Sequence, residues 1–107
     1  MFTRVVEVNL KSGKNRELST TLNEKILPML KSQPGFVDEI TLISESNPNR
    51  LLALSFWQNK EDADRYQRDT FPKVQETIRP MIDGSPTVQT FTVDTSTTHR
   101  IAASRVA

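Results

Sequence analysis

The residues able to do chemistry are few and spread along the chain. Tyr66 is the single tyrosine, His99 the single histidine, and cysteine is absent. A phenol on the inner face of a helix can donate to a substrate oxygen or orient it, which makes Tyr66 the candidate catalytic side chain; packing of a half-buried tyrosine explains it equally well. Glu7, Asp38 and Glu39 fall in extended segments. A carboxylate turned into an apolar cavity has a raised pKa and can act as a base, whereas one turned outward on an edge strand is merely solvated. Arg65, Arg68 and Arg79 lie on helical segments and would steady an enolate only if turned inward, against the usual preference of charged helical residues for water. His99 lies near the C-terminus and reaches a pocket only if its arm folds back or crosses to a partner subunit.

Two aromatic residues complete the candidate pocket lining with Tyr66. Trp57 closes an apolar strand, where it lines a pocket or packs with its indole N–H on a polar neighbour. Phe71 stands beside Pro72 at a break in a helix, as a greasy wall or as core. Asn59 reads as a helix cap before the acidic turn Glu61, Asp62 and Asp64; with no histidine beside them, these acids are not expected to hold a metal. No glycine-rich phosphate loop, nucleophile elbow or paired-carboxylate spacing is present, so no cofactor is expected.

Composition narrows the classes further. In 107 residues, 36% are hydrophobic and 25% charged, the balance of one ordinary globular domain. Fourteen basic and thirteen acidic residues give +1 and alternate along the chain, which argues against nucleic acid as a partner. The longest apolar run, Leu51 to Leu54, is far short of the roughly 20 residues that span a bilayer, so no membrane partner is expected. The absence of cysteine and of a basic, apolar leader before Glu7 makes the cytoplasm the expected compartment.

The elements that must position these groups follow from spacing. Phe2 to Leu10 is rich in β-branched residues and ends at Ser12-Gly13, a first strand and a turn. Leu18, Leu22, Ile26, Met29 and Leu30 define an amphipathic helix over 14–33, with a bend or a late start to a final short turn expected at Pro28 and a stop at Pro34-Gly35. Residues 36–45 and 50–58 form a hairpin around Ser46-Asn47-Pro48-Asn49. A second helix starts at Asn59, restarts at Thr70-Phe71-Pro72 and is expected to end in a turn at Asp83-Gly84-Ser85-Pro86. The last strand is expected over 87–95, and residues 96–107 form a tail or dimer arm after the domain at 1–95.

The order β-α-β-β-α-β is that of an α+β, ferredoxin-like antiparallel sheet with strands one and three central and both helices on one face. Strand three, Leu51-Leu52-Ala53-Leu54-Ser55-Phe56-Trp57, is apolar on both faces, and two helices cover one. A second copy is the economical cover for the other, so a homodimer is expected.

Ile26-Leu27-Pro28-Met29-Leu30 with Gln33-Pro34-Gly35-Phe36-Val37, and Ser55-Phe56-Trp57-Gln58-Asn59-Lys60-Glu61-Asp62-Ala63 with Tyr66 beyond it, resemble the antibiotic biosynthesis monooxygenase (ABM) family. The resemblance runs from about residue 2 to about residue 95. It implies a dimeric α+β barrel with a pocket between helices and sheet, used in some members to oxidise aromatic polyketides with oxygen and no metal or flavin. A haem-degrading branch uses a histidine, an asparagine and a tryptophan; here Glu76, Val6 and Tyr66 take those places, which disfavours haem degradation. The expected function is a cofactor-independent monooxygenase acting on a small apolar or aromatic molecule. The alternative is a non-catalytic dimeric barrel that binds a metabolite or serves as an assembly module.

Overall fold

The computed structural model describes residues 1–101. Its elements run β1 (Phe2–Leu10), α1 (Asn15–Thr21), a π turn (Leu22–Ile26), α2 (Leu27–Lys31), β2 (Phe36–Ile43), β3 (Arg50–Trp57), α3 (Lys60–Asp69), α4 (Phe71–Ile78), a 3₁₀ turn (Arg79–Met81) and β4 (Ile82–Thr92). The four strands form one antiparallel sheet in the order β2-β3-β1-β4, with β1 and β3 central. This is the ferredoxin-like α+β arrangement that the element order predicts.

Alternation along the strands decides what each face does. On β1, Arg4, Val6, Val8 and Leu10 are buried against the helices, and their cross-strand partners Ser55, Ala53 and Leu51 share that face. Leu18, Ile26 and Leu30 from α1 to α2, and Ala63, Tyr66, Phe71, Val74 and Ile78 from α3 to α4, complete the core. The opposite face carries Val5, Leu52, Leu54 and Phe56 in the middle and Ile40, Leu42 and Phe91 toward the edges. Ile40, Leu42 and Phe91 are 44%, 46% and 51% exposed.

Two helical interruptions have local causes. The first lies ahead of Pro28 rather than at it: a prolyl ring clashes with the carbonyl four residues back and brings no N–H, and the wider π turn just before relieves both demands. The second falls at Thr70, between α3 and α4, with Pro72 in the first turn of α4 where a missing N–H costs nothing. Asn59 caps α3 as expected, its Oδ1 accepting from Asp62 N at 3.1 Å.

The last strand differs from expectation. Asp83-Gly84-Ser85-Pro86 is not a turn after the helix; β4 already starts at Ile82. The pairing runs from Glu7↔Thr87 to Asn9↔Asp83, so Gly84, Ser85 and Pro86 form a bulge opposite Val8. An edge strand accepts a proline at such a bulge because no ladder donor is lost. Turn residues therefore bent the strand instead of ending the helix. The arm expected over 96–107 is described only to Ile101, and its remainder lies outside the described residues.

Gly35 joins α2 to β2 with φ +77°, and a Cβ there would stand 2.0 Å from Asp62 Oδ2. Gly35→Ala therefore meets a left-handed backbone and a side chain that is itself held by Arg65 at 3.0 Å. The substitution is expected to cost about 2 kcal/mol and lower Tm by roughly 8–16 °C, read by thermal unfolding. A Tm within a degree or two of the parent would show that this junction relaxes freely.

Candidate functional site

Between the helices and the sheet lies a cavity of about 60 Å³. Most of its wall is aliphatic, from Val6, Val8, Leu18, Leu22, Ile26 and Leu30 through to Val74 and Ile78. Its polar atoms come from Arg4, Glu39, Ser55 and Tyr66. Three of these share one row of the sheet: Arg4 on β1 pairs with Ser55 on β3, and Ser55 pairs with Glu39 on β2. With strands about 4.8 Å apart, the backbones of Arg4 and Glu39 stand roughly 10 Å from each other. Tyr66, from α3, interacts electrostatically with both charges.

Arg4 is 2% exposed and belongs to no ion pair among the described residues. One guanidinium N–H donates to Gln67 Oε1, and the guanidinium carbon lies 4.9 Å from the Tyr66 ring centre and 4.6 Å from that of Phe71. Two aromatic faces partly replace the lost water. Burial nevertheless pushes the guanidinium below its usual range, with the nearby Tyr66 opposing the shift.

Glu39 is half-buried. Desolvation raises its pKa above the usual carboxylate value and neighbouring Asp38 adds to the rise, while the Thr41 hydroxyl, donating to Glu39 Oε2 at 2.8 Å, holds part of it back. A carboxylate so placed is a better base than a free surface glutamate. Ser55 Oγ, in the middle of the row, accepts from Trp57 Nε1 at 2.9 Å.

Tyr66 is 3% exposed, and burial pushes its phenol up to about 12, with Arg4 pulling down and Glu39 pushing up. It is a hydrogen-bond donor at neutral pH, not a base. Because the folded-state value lies above the ordinary 10.0, the tyrosine's contribution to stability is complete below pH 10 and is lost as pH rises from about 10 to about 12. As the only tyrosine, it is expected to show a phenolate absorbance midpoint near pH 12, and the fold to lose about 2–3 kcal/mol across that interval. An absorbance midpoint at 10 in folded protein would mean that the phenol is wet.

The other sequence candidates fall elsewhere. Phe71 stands in the cavity wall beside Tyr66, with ring centres 6.1 Å apart. Trp57 stands behind that wall, fully buried, its ring 5.1 Å from Tyr66 and 5.6 Å from Phe36. Its indole turns toward Ser55 rather than into the cavity, so it supports the lining without being part of it. Glu7 lies on the opposite sheet face, where Arg50 at 2.8 Å holds its carboxyl below the usual range. Asp38 is exposed on that same face. Arg65, Arg68 and Arg79 pair with Asp62, Asp69 and Glu76, and none of the three lines the cavity. His99 lies outside the cavity wall. Among the described residues, no group of three His, Cys, Asp or Glu side chains is placed to hold a metal ion.

Comparison with known proteins places this geometry in context. The family model described as antibiotic biosynthesis monooxygenase matches residues 1–77. The structure superposes on SnoaB from Streptomyces nogalater, described as a cofactor-independent oxygenase, with TM-score 0.75 and 17% identity over 92% of this chain and 97% of that one. A Bordetella bronchiseptica protein assigned provisionally to the same family gives TM-score 0.75 at 12% identity, covering 88% and 97%. A conserved protein from Methanosarcina mazei Go1 gives 0.70 at 19%, covering 85% and 91%. No curated protein matches the chain by sequence. With 77 of its 107 residues matched by one family model, and with the sheet order of that fold, the chain belongs to the antibiotic biosynthesis monooxygenase family.

Proposed function

We propose that the chain is a cofactor-independent monooxygenase acting on a small apolar or aromatic molecule, and that it works as a homodimer. The observation that carries this reading is the row Glu39–Ser55–Arg4 facing Tyr66 inside an otherwise apolar cavity. Oxygen chemistry without a metal or flavin needs a substrate that becomes an electron-rich anion, hence a base, a donor for the new charge and a dry enclosure. Glu39 supplies the base by taking a proton from an acidic CH₂ group. Tyr66 donates to the oxygen on which the charge settles, and the positive field of Arg4 favours the anion.

The anion passes one electron to dioxygen, and the resulting pair recombines at carbon. Protonation gives a hydroperoxide, which loses water to leave a carbonyl. The balance is R₂CH₂ + O₂ → R₂C=O + H₂O, with one oxygen atom retained in each product. The likeness in fold to a protein described as a cofactor-independent oxygenase agrees with this scheme.

The homodimer is supported by the uncovered sheet face. Leu52, Leu54 and Phe56 at its centre, with Ile40, Leu42 and Phe91 around them, form a contiguous apolar surface. Sheet-on-sheet pairing with a second copy removes that surface from water. Light scattering is expected to give twice the chain mass, and Phe56→Glu to give the monomer; a monomeric parent would remove the dimer.

Oxygen uptake with an anthrone tests the activity. The parent is expected to exceed a heat-denatured sample clearly, and Tyr66→Phe to fall about 10²-fold from loss of one donor. A rate no higher than the denatured control would favour a non-catalytic barrel that binds a metabolite or serves as an assembly module.

A further inference from the structure

We propose that the cavity binds an organic monocarboxylate with a small apolar body, its carboxylate received by the Arg4 guanidinium. The inference deepens the reading of this cavity as a substrate site, and it does not depend on the oxygen step.

A buried cation without an anion is an unfinished arrangement. Removing a guanidinium from water costs several kcal/mol, and protein interiors normally offset that with a carboxylate. Arg4 has none among the described residues; its side-chain hydrogen-bond acceptor is the neutral Gln67. The two rings at 4.9 and 4.6 Å fix where the guanidinium lies but accept none of its in-plane hydrogen bonds. The fork is thus held in place on the cavity wall. The Tyr66 hydroxyl, which donates to no acceptor among the described residues, keeps its proton for the oxygen on which the substrate's charge settles, so the carboxylate falls to Arg4.

The kind of anion follows from the rest of the wall. Among the described residues Arg4 is the only cation there, and Glu39 brings a negative charge, so a phosphate dianion would arrive in excess. A planar monoanion fits a planar fork in two parallel hydrogen bonds. Beyond that end the wall is aliphatic, which asks for an apolar body. The empty space of about 60 Å³ is less than half of a cavity of ~150 Å³ that takes up benzene. The body is therefore a short chain, or a ring system admitted by outward movement at the π turn, where Leu22 and Ile26 form the wall. Anchored at Arg4, such a ligand presents its other end toward Glu39, two strands away.

The test is calorimetric titration of the folded parent, without oxygen, by benzoate and by its neutral isostere benzamide at pH 7.5. Benzoate is expected to bind at least about tenfold more tightly, a preference that Arg4→Met abolishes and Arg4→Lys reduces, since a lysine keeps the charge without the fork. Circular dichroism establishes that each variant is folded. Independently of any variant, the Arg4 Nε–Hε resonance of the parent is expected to shift on adding benzoate and to stay in place with benzamide. Equal affinity for the two ligands, no binding of benzoate, a preference retained in folded Arg4→Met, or an Arg4 resonance unmoved by benzoate would each overturn the proposal. Oxygen uptake from anthrone alongside failed benzoate binding would leave the oxygenase standing and remove the carboxylate site. Benzoate binding without oxygen uptake would do the reverse.

Discussion

Glu39→Gln is expected to lower the rate of anthrone-dependent oxygen uptake by about 10²- to 10⁴-fold, with the Michaelis constant changed far less. Glutamine keeps the size of the side chain and still accepts from the Thr41 hydroxyl, which now meets Glu39 Oε2 at 2.8 Å. What it loses is the ability to take a proton. Its effect should therefore fall on the chemical step rather than on binding. The pH profile gives a second reading of the same assignment. Because desolvation raises the Glu39 pKa, the rate should climb with pH through a value above the ordinary 4.5 and level off once the carboxylate is ionised. Thr41→Val removes the hydrogen bond that favours the ionised form, so that limb should move to higher pH. A Glu39→Gln protein with parental rate, or a limb that ignores Thr41, would assign proton removal to another group.

Much of this site is legible from spacing, but its two charges are not. Asn59, Trp57 and Tyr66 could be placed because a cap, a strand end and a helix face each have a local signature, and the structure puts all three on those elements. Arg4 was missed. An arginine inside a strand is ordinarily a solvated residue, and the helical candidates Arg65, Arg68 and Arg79 all pair with nearby acids. The available signal was parity: Arg4 shares its face with Val6, Val8 and Leu10, while Thr3, Val5, Glu7 and Asn9 share the other. A cation in phase with three core residues points inward whatever its type.

Other departures arose where a local preference met a longer-range constraint. Pro28 disrupts the helix through the turn preceding it, because the clash it causes lies four residues back. Gly84-Ser85-Pro86 has the composition of a turn, but pairing of Ile82 and Asp83 with β1 turned it into a bulge. Glu39 lay between two parities, since β2 is an edge strand with apolar residues on both sides; its direction is set by pairing with Ser55, which sequence spacing does not reveal. The uncovered sheet face, by contrast, could be counted in advance from the apolar strand Leu51 to Trp57 and a supply of helices sufficient for one side.

Trp57→Ala is expected to lower the free energy of unfolding by about 3–5 kcal/mol, the largest loss from any single truncation here. Its side chain is the most completely buried in the structure and packs on Phe36 at 5.6 Å and Tyr66 at 5.1 Å. A small domain of this size has roughly 5–15 kcal/mol in hand, so the variant should approach the unfolding threshold. Urea denaturation measures it, and a loss below 1 kcal/mol would mean that neighbours collapse into the space. Trp57→Phe separates packing from polarity. It keeps an aromatic ring against Tyr66 but leaves Ser55 Oγ without the indole N–H now 2.9 Å away, so a smaller loss of about 1–2 kcal/mol is expected. Pairing it with Ser55→Ala completes a cycle: if the hydrogen bond is what Trp57→Phe loses, the double variant should be more stable than the two single losses predict, because both partners are then gone. Ser55 lies between Glu39 and Arg4 in the sheet, so a hydroxyl released from the indole is free to rotate into the cavity. Trp57 thus acts on the site from outside its wall, holding Tyr66 from behind and fixing the direction of the one hydroxyl between the two charges.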